Sequence, residues 1–61
     1  MNKAQAKQVA MIEVYLSNDM RDTAARSLSA LIRSALVNKT AQEFHAIAAK
    51  HGLNTHPDFI V

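Results

Sequence analysis

Sixty-one residues with seven Lys or Arg against five Asp or Glu, a formal charge of +2 and a pI near 9.4 describe one small, mildly basic domain. The absence of cysteine excludes a disulfide framework and thiolate metal sites. So modest an excess of cations falls short of the dense positive field of a dedicated nucleic-acid binder. A chain this short buries a limited share of its surface, so self-association is expected.

The start, Met1-Asn2-Lys3-Ala4-Gln5-Ala6-Lys7, superficially resembles the basic end of a signal peptide. Glu13 interrupts the apolar stretch Val9 to Leu16, and no cleavage-like sequence follows. That stretch is also too short to cross a bilayer, and a cytoplasmic protein is expected.

No Gly or Pro occurs before Gly52, so the chain reads as helices joined by short turns that side-chain caps must mark. A first helix is predicted over 3–16, with Asn2 as its N-cap. Val9, Ile12 and Leu16 recur at helical spacing and Met20 extends the row. Met11, Val14 and Tyr15 widen the apolar face beyond what an intramolecular core needs, which points to a partner surface. Ser17-Asn18-Asp19 forms the turn, with Asp19 as N-cap of the next helix and Asp22 at its N3 position.

The second helix is predicted over 20–37. Ala24, Leu28, Leu31 and Ala35 face the core, flanked by Ala25, Ile32 and Leu36. Asp22, Arg26, Ser29 and Arg33 form a polar row read as a solvated face, with Asp22 and Arg26 spaced for an ion pair. Ser27, Ala30 and Ser34 make a ridge of small residues along which another backbone can come close. Asn38-Lys39 is the next turn.

The third helix, 41–51, carries the strongest local signature. Thr40 caps it, Glu43 completes a capping box, and Ala41, Phe44, Ile47 and Ala48 face inward. Lys50 and His51 complement the dipole in its last turn. Gly52 supplies a left-handed C′ residue, after which Leu53 can fold back on Ile47 or Ala48. In the tail 53–61, Thr55-His56-Pro57-Asp58 allows a short helical turn. The favoured reading is an extended arm whose Phe59 and Ile60 dock on the bundle or on a second subunit, because an apolar terminus left exposed is an aggregation liability.

Ala48, Gly52 and Leu53 have the spacing that ends the first half of a DNA-reading helix-turn-helix, a resemblance that spans about seven residues. Only eight residues follow Leu53, with Pro57 inside the required recognition helix and Asp58 close to where phosphates would lie. The three histidines, His45, His51 and His56, lack the i,i+3 or i,i+4 spacing of helical metal ligands, so no metal and no cofactor is expected. Glu43 and His45 diverge on a helix, and no nucleophile elbow or phosphate-binding glycine loop occurs, so no enzymatic activity is expected.

The resulting expectation is an all-α three-helix bundle with a C-terminal arm, dimeric through its first and second helices. Its function is read as a non-enzymatic regulator or adaptor that contacts a protein partner through Met11, Tyr15, Arg26, Arg33 and Phe59. The competing reading is a small DNA-binding regulator that uses Arg26, Arg33, Lys39 and Lys50.

Overall fold

The computed structural model describes residues 2–35 and 40–61. Its first helix, α1, covers Lys3–Ser17. Asn2 is its N-cap, and the cap is reciprocal: the Gln5 N–H donates to Asn2 Oδ1 at 2.8 Å, while the Asn2 N–H donates to Gln5 Oε1 at 3.0 Å. Two orphan donors at the helix start are satisfied by one Asn-x-x-Gln motif.

The turn after α1 corrects one expectation. Asp19 does not cap the following helix; it takes a left-handed conformation at φ 61° and ends α1. The Met20 N–H reaches back to the Tyr15 carbonyl at 2.8 Å and the Asp19 N–H to the Leu16 carbonyl at 3.2 Å, the bonding pattern of a Schellman stop. Aspartate tolerates this region better than most residues, but it still carries a Cβ there. Asp19→Gly is therefore expected to raise stability by roughly 0.5–1 kcal/mol, read as the midpoint of chemical denaturation. An unchanged or lower midpoint would show that Asp19 holds the turn by more than its backbone.

The second helix, α2, covers Arg21–Ser34 and begins after Met20, whose side chain makes no cap; within its first turn, Asp22 Oδ1 accepts the Thr23 N–H at 2.9 Å. It ends before Val37: Ala35 is its C-cap, and the remaining expected residues, Leu36 and Val37, lie outside the described residues. The third helix, α3, covers Thr40–Lys50 and so takes in Thr40 itself; the position before it is not among the described residues.

These elements form a small all-α bundle in which α2 is the central member. Both α1 and α3 pack on α2, as does a 3-10 turn at Leu53–Thr55 that also packs on α3. The core follows that arrangement. Ile12 enters from α1, Ala24, Ala25, Leu28 and Ile32 from α2, Ala35 from its C-cap, Phe44 and Ala48 from α3, and Leu53 from the 3-10 turn, all essentially inaccessible. The alanines bring the helix axes close, and the larger residues fill what remains. Among the described residues, no helix is long and apolar enough to cross a membrane.

Gly52 adopts φ 69° and ψ 19° at the end of α3, as its position after the last apolar repeat predicts. Its N–H donates to the Ala49 carbonyl at 3.2 Å, and Leu53 drops into the core beyond it. Arg21 Nη2 donates to the His51 carbonyl at 2.9 Å, which places a cation and a donor at the negative end of α3. Among the described residues after Gly52 the only helical element is the 3-10 turn at Leu53–Thr55, not a recognition helix. His56–Phe59 closes a turn through the Phe59 N–H and the His56 carbonyl at 3.0 Å, with Pro57 at its second position. The tail is thus a 3-10 turn, a second turn and a short end without regular structure, not an arm extended throughout.

Candidate functional site

The five residues expected to meet a partner are divided between two places on α2. Met11 and Tyr15 belong to the first. With Gln8 they occupy one face of α1 at i, i+3 and i+7, and Ser27, Ala30 and Leu31 of α2 stand opposite. Together these six residues line an open groove of about 340 Å³. Met11 is 45% exposed and Tyr15 half-buried, so the wide apolar face of α1 is only partly consumed by the core. The ridge of small residues on α2 explains the hollow, because Ser27 and Ala30 fill little of the space that a Leu would occupy. Exposed Lys7 precedes Met11 by one helical turn, and exposed Arg26 precedes Ala30 likewise, so both lie on the rim. Arg26 also meets Asp22 at 3.7 Å, a surface pair that adds little to stability.

Arg33 and Phe59 belong to the second place, where the C-terminal tail crosses α2. Its centre is Ser29, which the polar-row reading set on a solvated face but which is 1% exposed. The Ser29 hydroxyl accepts the Ile60 N–H at 3.0 Å. Its single proton goes to the Ala25 carbonyl at 2.6 Å in preference to the Asp58 carbonyl at 3.4 Å, because the shorter contact is much the better hydrogen bond. Arg33 Nη1 donates to the Ile60 carbonyl at 3.1 Å. Both polar groups of one backbone residue are therefore held by side chains one turn apart on α2. Phe59 is half-buried, with its ring edge-on to His45 at 6.2 Å and 78°. The docked tail belongs to the same chain, and the side chains of Ile60 and Val61 remain 64% and 56% exposed.

Ser29 is the residue that sequence reasoning missed. Its i,i+4 partner Arg33 and its place in a polar row gave no sign that the tail would cover it. A serine among longer polar neighbours, with an apolar chain end unaccounted for, is the one signal that pairs them.

Of the residues proposed for nucleic-acid contact, Arg26 and Arg33 lie on one side of α2, seven residues apart. Both have the protein partners just named, Lys50 is exposed in the last turn of α3, and Lys39 lies outside the described residues. The histidines serve separate contacts. His45 meets Phe59, His51 gives its carbonyl to Arg21, and His56 Nδ1 accepts the Asp58 N–H at 3.1 Å inside the tail turn. Among the described residues, no three His, Cys, Asp or Glu side chains converge on a possible metal position, and no buried side-chain nitrogen or oxygen lacks a hydrogen bond. The chain matches no protein-family model, no curated protein and no solved structure.

Proposed function

We propose that this chain is a small non-enzymatic, cytoplasmic regulator or adaptor that binds another protein through the groove between α1 and α2. The observation that carries the reading is Met11: a long, adaptable apolar side chain, 45% exposed, beside Tyr15 and over a floor of small residues. Met and Tyr supply contact area that desolvates readily, and a hollow lined by them takes an apolar anchor from a partner helix. Arg26 on the rim adds steering rather than affinity. Without the partner, the same faces of α1 and α2 pair two copies of the chain into the expected homodimer.

Met11→Glu tests both parts, since a carboxylate in the hollow opposes any apolar anchor while leaving the α1 core residues Val9 and Ile12 untouched. A partner recovered from the native cell with the wild-type chain is expected to lose about 30-fold or more in affinity for the variant, the scale of a central contact. Glu13→Lys, at an exposed position on another side of α1, is expected to change affinity little. Light scattering over a concentration range should show the wild type dimerising and Met11→Glu monomeric. Equal partner binding by wild type and Met11→Glu would remove the groove from the function, and a wild type monomeric at every concentration would remove the dimer.

A further inference from the structure

We propose that Ser29 and Arg33 form a peptide-backbone clamp that takes an extended segment with an aromatic residue just before the gripped residue, and that residues 59–61 are its intramolecular occupant. This surface is separate from the α1–α2 groove and stands or falls without it.

Three observations carry it. First, the clamp reads backbone: Ser29 Oγ accepts the Ile60 N–H at 3.0 Å and Arg33 Nη1 donates to the Ile60 carbonyl at 3.1 Å, while the Ile60 side chain is mostly in solvent. Such a grip imposes extended geometry and tolerates many side chains, as strand-addition sites do. Secondly, the side-chain requirement is aromatic, because Phe59 is the half-buried residue of the segment and meets the His45 ring edge-on.

Thirdly, the clamp is built to persist when the segment leaves. Ser29 and Arg33 sit on the central helix, and the 2.6 Å bond from the Ser29 hydroxyl to the Ala25 carbonyl is made within that helix, independently of Ile60. The tail is anchored upstream at Leu53, which is fully buried, so residues 56–61 can swing out without uncovering that part of the core. Departure of the tail thus exposes a preformed site for an equivalent segment of another chain. The tethered tail competes at an effective concentration on the order of mM, so it acts as a gate on binding in trans.

The test uses the full chain and a fluorescein-labelled hexapeptide, His-Pro-Asp-Phe-Ile-Val, followed by anisotropy. Phe59→Ala weakens the tethered competitor, and this variant is expected to bind the peptide at least about ten-fold tighter than the wild type. Adding Arg33→Ala should lower that affinity about five-fold or more, as should replacing Phe by Ala in the peptide. A peptide N-methylated at its Ile lacks the N–H that Ser29 accepts and should lose about ten-fold, whereas Ile to Ala in the peptide should change binding less than about three-fold. The peptide variants leave the protein unaltered, so they remain decisive if Phe59→Ala unfolds; the wild-type chain is then titrated by NMR, with displacement of its own Ile60 amide resonance as the readout. No saturable binding by either chain up to about 5 mM peptide overturns the proposal. Binding indifferent to N-methylation overturns it equally.

Discussion

Phe44→Ala is expected to cost about 3–5 kcal/mol, the largest single effect available in this chain. Phe44 is the largest fully buried side chain, and α3 reaches the centre of the core chiefly through it. Little on α3 itself can fill the space, because its other buried residues are alanines, Ala41 and Ala48, which have no rotamers to swing inward. A chain of this length holds only about 3–9 kcal/mol of net stability. The variant should therefore lose most of its helical circular-dichroism signal, or melt about 15–30 °C below the wild type. Phe44→Leu keeps most of the volume and should cost under about 2 kcal/mol. If alanine and leucine proved equally mild, the core would owe its stability to α1 and α2 alone.

That core was largely readable from residue spacing, and the reasons are local. Ala24, Leu28, Leu31 and Ile32 repeat at helical intervals, and so do Ala41, Phe44 and Ala48; all are buried. The tail was readable only in outline. An apolar end at Phe59 asks for a place to dock, but nothing in its spacing names Ser29 and Arg33 as the groups that hold Ile60, 31 and 27 positions downstream of them. Such pairing is set by where the Gly52 turn aims the chain, which is a tertiary fact. Asp19 was misread for a related reason: the same side chain suits the start of one helix and the left-handed stop of another. The reach of the Met20 N–H to the Tyr15 carbonyl decides between them. The candidate groove falls between these cases. The exposed width of α1 and the small ridge of α2 were each legible, yet only the packing of the two helices shows that Met11 and Tyr15 face Ser27 and Ala30.

Substitutions at Gly52 are expected to separate backbone strain from lack of space, with an order that side-chain size does not predict. At φ 69° a Cβ is disfavoured by about 1–2 kcal/mol for most residues, and a β-branched residue fares worst. Space is not the limit, since among the described residues an added Cβ would meet only Arg21 Nη2, at 3.4 Å, and that atom is the end of a flexible side chain. Asparagine adopts this conformation readily despite being larger than alanine. Gly52→Asn should accordingly cost under about 1 kcal/mol, Gly52→Ala about 1–2 and Gly52→Val more than about 2. The cost has a functional side, because the Gly52 turn both aims Leu53 into the core and sets the line on which Phe59 reaches His45. In Gly52→Val the NMR resonances of the His45 ring and the Ile60 amide should therefore move toward their values in an undocked tail, while those of Ile12 and Leu28 stay in place. Loss of stability ranked by side-chain volume, with Asn worse than Ala, would mean that crowding against Arg21 governs the turn. The tail's position would then follow from the Arg21–His51 contact and not from the left-handed glycine.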